Sequence, residues 1–155
     1  MGIEIERKFL LKNDNWREQV IESRSISQGY LTQNSGNSSV RVRLDGDKGN
    51  INIKSRELAI SRQEYEYPIP VDDAQVMLDT LCDHVLVKKR NIVKYQGDTW
   101  EIDEFYGENE GLVVAEIELQ HVDDDYAIAD WLGEEVSEDV RYYNVNLISH
   151  PYSQW

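Results

Sequence analysis

Seven short segments of this chain alternate charged and apolar residues with a period of two, and that alternation restricts the fold more than any other feature. In IEIERKFL at 3–10, Glu4, Glu6 and Lys8 occupy one parity and Ile3, Ile5 and Phe9 the other. Successive side chains of a strand point to opposite faces, so a strand here would carry all three charges on one face. SVRVRL sets Arg41 and Arg43 against Val40, Val42 and Leu44, and INIKSR sets Asn52, Lys54 and Arg56 against Ile51 and Ile53. SRQEYEY sets Arg62, Glu64 and Glu66 against Gln63, Tyr65 and Tyr67. The pattern continues with Lys88 and Arg90 opposite Val87, Glu101 and Asp103 opposite Trp100 and Ile102, and Glu116 and Glu118 opposite Ala115, Ile117 and Leu119. These faces hold eight acids and eight bases.

Turn residues cut the chain into eight strands, expected near 2–11, 25–33, 38–45, 50–57, 61–69, 86–95, 98–105 and 112–120. The second, SISQGYLTQ, shows no clear face. NSGN, DGDKGN, QGD and YGENEG supply the Gly, Asn and Asp that hairpins need for positive φ, so most neighbours should pair antiparallel. A helix is expected over 72–85, with Ala74, Met77, Leu78, Leu81 and Val85 as its apolar stripe and Asp72 and Asp73 at its start. A second is expected over 123–133 (Ala127, Ile128, Trp131, Leu132), with Asp123, Asp124 and Asp125 capping it, and shorter ones over 14–23 and 141–150. Cys82 stands alone among apolar neighbours, which suits a buried helix position.

At 155 residues the chain fits one domain, 1–155. The apolar runs are far below the ~20 residues of a membrane span, and Glu4 and Glu6 stand where a secretory signal would be basic and apolar, so a cytoplasmic protein with no membrane partner is expected. A net charge of −14 argues against a nucleic-acid surface. His84, His121 and His150 lack metal-ligand spacing, which disfavours zinc.

An antiparallel sheet with one wet face also alternates, its facing opposite charges contributing ~0.2–1 kcal/mol per pair. Here, though, bases concentrate on the third, fourth and sixth strands, while paired acids recur on the first, fifth, seventh and eighth. Closing the strands into a barrel with the charges inside accounts for that segregation: a mainly β (α+β) fold, an eight-stranded antiparallel β-barrel tunnel with short amphipathic helices on its apolar outside. Unpaired buried ions cost several kcal/mol each, so such a bore must hold water, ions or a charged ligand. Converging Lys and Arg suit a polyphosphate, each close charge pair being worth about 4 kcal/mol at an effective dielectric near 20. Divalent cations, Mg2+ or Mn2+, would reconcile the carboxylates with that anion.

The E-x-E-x-K signature at Glu4, Glu6 and Lys8, QGYL at 28–31, R-x-R at 41 and 43, SRQEYE at 61–66, K-x-R at 88 and 90, and E-x-E at 116 and 118 resemble the CYTH, or triphosphate tunnel metalloenzyme, family over nearly the whole chain. The wording ERKFL and SRQEYE is most similar to small bacterial inorganic tripolyphosphatases. The resemblance implies a tunnel that binds a small-molecule triphosphate through bases and one or two divalent metals through glutamates. By position it assigns phosphate binding to Lys8, Arg41, Arg43, Lys54, Lys88 and Arg90, with Arg62 on the same face, and metal binding to Glu4, Glu6, Glu116 and Glu118. Glu64, Glu66 and Asp103 would orient the bases or help hold a second metal, and the catalytic set would be Glu4, Glu6, Lys8 and Lys88. No role is assigned to Arg56, and the C-terminal RYYN segment would close one mouth of the tunnel. The implied activity is hydrolysis of inorganic triphosphate, with nucleoside triphosphates as further substrates. A class IV adenylate cyclase, a thiamine triphosphatase and a non-catalytic polyphosphate-binding module are the competing readings, and a homodimer is a candidate assembly.

Overall fold

The computed structural model describes residues 2–32, 36–56 and 59–155; part of the NSGN link and the expected strand ends at Gln33 and Glu57 lie outside them. The chain runs β1 (Ile3–Leu11), β2 (Val20–Tyr30), β3 (Ser38–Asp45), β4 (Lys48–Ser55), β5 (Ser61–Ile69), α1 (Val71–Thr80), β6 (Val85–Tyr95), β7 (Asp98–Phe105), β8 (Val113–Leu119), β9 (Leu132–Glu135) and α2 (Asn144–Ser149). The sheet order is β5-β4-β3-β2-β6-β7-β8-β1-β9, and β1 also pairs with β5. That last pairing closes eight antiparallel strands into a barrel, as expected from the sequence.

Strand β1 is the seam. One edge lies along β8, from Ile5↔Leu119 to Leu10↔Val114. The other is shared: residues 3–5 pair with 61–63 of β5, and Phe9 and Leu11 pair with Glu135 and Leu132 of β9. The β6–β7 hairpin turns on Gln96 (φ 48°) and Gly97 (φ 87°), two consecutive left-handed residues whose twist matches that of the flanking strands.

The apolar faces point outward and are covered piecewise. Ala74 and Leu78 of α1 pack on Val42 over β3 and β4. Phe9, Trp16, Trp100, Trp131 and Leu132 form an aromatic core on another side, with edge-to-face pairs such as Trp100–Trp131 at 5.6 Å. Leu86, Phe105, Val114, Tyr142 and Leu147 anchor the C-terminal segment.

Two helix expectations fail and a third is met only in part. Residues 123–131 are irregular and lead into β9, a ninth strand absent from the sequence reading. Asp124 does not cap a helix; its carboxylate accepts from the backbone N–H groups of Gln120 and His121, a local turn that competes with helix formation. Over 14–23 only a 3-10 turn forms, at Asn15–Gln19, before β2 begins. The C-terminal helix shrinks to Asn144–Ser149 behind a 3-10 turn at Val140–Tyr142. Helix α1 ends at Thr80 and its N-cap is Pro70, so Leu81 and Val85 are exposed and Cys82 lies past the helix, half-buried. No helix among the described residues is long and apolar enough to cross a membrane.

Candidate functional site

The barrel interior is a cavity of about 240 Å³. Its position follows from strand parity: alternate residues of each strand must face inward, and on seven strands those are the charged ones. Going round the wall, β3, β4 and β6 supply Arg41, Arg43, Lys54, Lys88 and Arg90, and β1, β5, β7 and β8 supply Glu4, Glu6, Glu64, Glu66, Glu101, Glu116 and Glu118. Lys8 and Arg62 stand among the acids, and Arg24, Tyr30 and Asp45 line the wall from β2 and β3. One arc is thus basic and the facing arc acidic.

The structure brings together all but one of the residues to which the sequence assigned a role in the site. Asp103, expected among the metal ligands, does not line the cavity. It is fully buried behind the wall, where Oδ1 and Oδ2 each accept a 2.8 Å hydrogen bond from Arg90 and Lys88 Nζ lies 2.8 Å from Oδ2. Its contacts are therefore with the bases of β6 and not with the bore. Glu101, two residues along β7, lines the cavity in its place and meets Arg90 at 3.1 Å. Arg56, the eighth base of the alternating faces, is absent from the wall and holds Ser38 O at 3.2 Å.

Strand β2 holds the residues that sequence reasoning missed. Arg24, Gln28 and Tyr30 share one parity, but an expected start at 25 cuts off Glu22 and Arg24, the two charges that mark that parity. Gln28 is fully buried, with Oε1 accepting from Arg43 Nε and Nη2 at 3.0 and 2.7 Å. Arg24 is paired with Asp45 (2.6 Å) and with Glu22.

The register places two different ends on the bore. At one, Tyr143, Asn144 and Val145 reach in near the start of β6 and the end of β2. Lys8 Nζ and the Arg62 guanidinium lie 5.3 and 5.4 Å from the centre of the Tyr143 ring, and the Tyr143 hydroxyl donates to Ser137 O at 2.7 Å. Asn144 Oδ1 accepts from Lys88 Nζ at 2.9 Å. The opposite end, ringed by Arg24, Asp45, Glu66 and Glu118, has no such stopper among the described residues.

Protonation states follow from this crowding. Burial disfavours the Lys8 ammonium, but Glu116 and Glu6, each 2.9 Å away, more than reverse that and raise its pKa. Burial depresses the Lys88 pKa to about 7; Asp103 offsets part of that and Arg90 and Arg43 add to it. Burial, with Arg41 and Arg90 nearby, pulls Arg43 down to about 9. Burial also works against the Asp103 carboxylate, yet Arg90 and Lys88 hold its pKa well below the usual range. Glu118 stands at the other extreme: partial burial and the carboxylates of Glu4, Glu64, Glu6 and Glu101 push it up to about 7.

Part of this charge has no partner of the opposite sign. Among the described residues Arg41 and Arg43 make no ion pair, and Arg41 Nε is buried without a hydrogen bond. Glu118 and Glu66 likewise have no basic partner. Lys54 donates to Glu4 Oε1 at 3.1 Å and sits 2.8 Å from Oε2, which is buried and accepts no well-aligned hydrogen bond. An anion on the Arg41–Arg43 side together with a cation on the Glu4–Glu118 side would satisfy both arcs. No group of three or more His, Cys, Asp or Glu among the described residues forms a ready cage. The donor set nonetheless fits a hard cation such as Mg2+, which takes few protein carboxylates and completes its shell with water and phosphate oxygens.

Comparison with known proteins agrees with this geometry. The model of the CYTH domain matches residues 2–152. An inorganic triphosphatase of Acetivibrio thermocellus is 44% identical over 156 residues, spanning 100% of this chain and 99% of that protein. Another, from Nitrosomonas europaea, is 34% identical over 147 residues, 93% of this chain and 95% of that one. A solved inorganic triphosphatase structure superposes with a TM-score of 0.70 at 31% identity, covering 96% of this chain and 95% of the other. A Hippeastrum protein, described as an adenylyl cyclase candidate with a dominant triphosphatase activity, shares the fold alone, with a TM-score of 0.58 at 15% identity over 78% of this chain and 80% of that one. A closed eight-stranded barrel with opposed charged arcs and a family match from end to end leave one assignment: the chain belongs to the CYTH domain family.

Proposed function

We propose that this protein is a divalent-metal-dependent hydrolase that cleaves inorganic triphosphate to pyrophosphate and phosphate. The observation that carries the proposal is the division of one cavity into a basic and an acidic arc, each with unpaired members. Its lining holds eight bases and eight acids, so net charge does not attract the anion; the segregation does. Two relatives of full matching length, both inorganic triphosphatases, support the same reading.

Arg41, Arg43, Lys88 and Arg90 would bind non-bridging phosphate oxygens from one side, and Lys8, Lys54 and Arg62 from the other. Apart from Arg41, whose side chain has no ion pair, these guanidinium and ammonium groups are held by Gln28, Asp103 and the glutamates before the anion arrives, so charge developing on the transferring phosphoryl group meets donors already oriented. Glu4, Glu6, Glu116 and Glu118 would hold Mg2+ or Mn2+, with Glu64, Glu66 and Glu101 beside them. When bound, such an ion neutralises phosphate charge and lowers the pKa of coordinated water. The stopper at Tyr143–Val145 keeps bulk water from one end of the bore.

The lining favours inorganic triphosphate over nucleotides. Among the described residues its aromatic members are Tyr30 and Tyr143, and the Tyr143 ring already faces Lys8 and Arg62, so a base would find at most the single Tyr30 ring to stack on. Phosphate release from triphosphate, ATP, GTP and thiamine triphosphate, assayed with Mg2+ and with Mn2+, tests the reading. Fastest release from inorganic triphosphate, abolished by chelator, is expected. A protein that binds triphosphate but releases no phosphate with either ion is a binding module, and cyclic AMP formed from ATP would make it a cyclase.

A further inference from the structure

We propose that Asn144, the first residue of α2 and part of the cavity wall, is a positioning residue for Lys88, so that the C-terminal segment completes the site as well as closing it. This deepens the triphosphate reading and rests on it.

Lys88 is 1% exposed and carries three N–H donors on a freely rotating ammonium. Asp103 takes one at 2.8 Å, but both of its oxygens are also engaged by Arg90, so it cannot fix the rotation alone. Asn144 Oδ1 takes a second at 2.9 Å. With two directions held, the remaining N–H has a fixed direction, which is what a donor to a phosphate oxygen requires. An ammonium only donates, so the Asn144 atom facing it must be the amide oxygen.

That oxygen also receives Gln28 Nε2 at 3.3 Å, and Gln28 in turn holds Arg43. One amide therefore joins Lys88 and Arg43, from β6 and β3, through a residue that belongs to neither strand. Asn144 is held from outside the barrel as well: Leu147 is fully buried, Asn109 donates to its carbonyl at 3.2 Å, and the neighbouring Tyr143 hydroxyl is tied to Ser137.

The test uses three variants of the full chain. Asn144→Ala removes the acceptor, Asn144→Asp keeps it while adding charge, and Asn146→Ala cuts the 2.8 Å tie from α2 to Val140 O without touching the cavity. With triphosphate and Mg2+, N144A is expected to lower kcat at least about tenfold with KM nearly unchanged. N144D should recover kcat to within about threefold of wild type while KM rises, since a carboxylate there holds Lys88 yet repels the anion. N146A should lower Tm but keep kcat. An N144A kcat within about twofold of wild type, or an N144D kcat as low as that of N144A, overturns the proposal. A wild-type protein that fails to hydrolyse triphosphate overturns the functional reading instead. The positioning role is then decided by the 15N signal of the Lys88 ammonium at mildly acidic pH: slow hydrogen exchange in wild type and N144D with fast exchange in N144A supports it, and equal exchange in all three refutes it.

Discussion

At Asp103 one buried carboxylate holds two buried cations, each within 2.8 Å, and the energetics of that triad are asymmetric. Assembling it cost desolvation of all three groups, whereas removing the carboxylate alone leaves Lys88 and Arg90 repelling each other in a dry wall. Asp103→Asn should therefore cost about 3–5 kcal/mol in urea unfolding, far more than a surface substitution. Parity alone placed Asp103 on the inner face; depth along the barrel, which separates it from Glu101, has no signature in a period of two. Glu118 shows the opposite case. Its folded pKa, about 7, stands above its ordinary 4.5, so its contribution to stability is fully present below pH 4.5 and is lost as pH rises through about 7. In metal-free protein Glu118→Gln should be more stable than wild type above pH 7, by of order 1 kcal/mol after discounting for solvent screening at the mouth. The difference should vanish below pH 4.5, as thermal melts across that range would record.

Among the elements, the strands were legible and two of the helices were not, for one physical reason. Strand parity is enforced by a wall with two chemically different faces, so it survives in the sequence. The spacing of Ala127, Ile128, Trp131 and Leu132 is satisfied equally by an irregular segment that drops Ala129 and Trp131 into the aromatic core, leaving Ile128 66% exposed, a position no apolar helix stripe would tolerate. Nothing short-range announces β9, because it exists only where β1 offers an edge beyond β5. Gly133 is what lets it come so close: a Cβ there would lie 2.8 Å from Leu10 O, a backbone atom that cannot rotate away. Gly133→Ala should destabilise the fold by about 1–3 kcal/mol, read in thermal melts, by forcing β9 off β1.

For the whole molecule, the segregated charges tie ligand binding to stability. Bound as proposed, triphosphate with Mg2+ would relieve repulsion within each arc, so a hundredfold excess over Kd should add about 2.7 kcal/mol to unfolding stability, and an Arg41→Ala, Arg43→Ala double variant should lose most of that gain. Closure itself was inferred from where the charges had to go and not from any local pattern: the β1–β5 contact joins residues 3–5 to 61–63 without a turn to predict it. The seam strand also bears on how the protein is made. During translation β1 leaves the ribosome before every one of its partners, and Phe9 must wait for Glu135 to be synthesised. A nascent chain therefore presents an unpaired β1 edge for most of its synthesis, and late closure follows from a barrel in which β1 must wait for β8 and β9 to be fully paired.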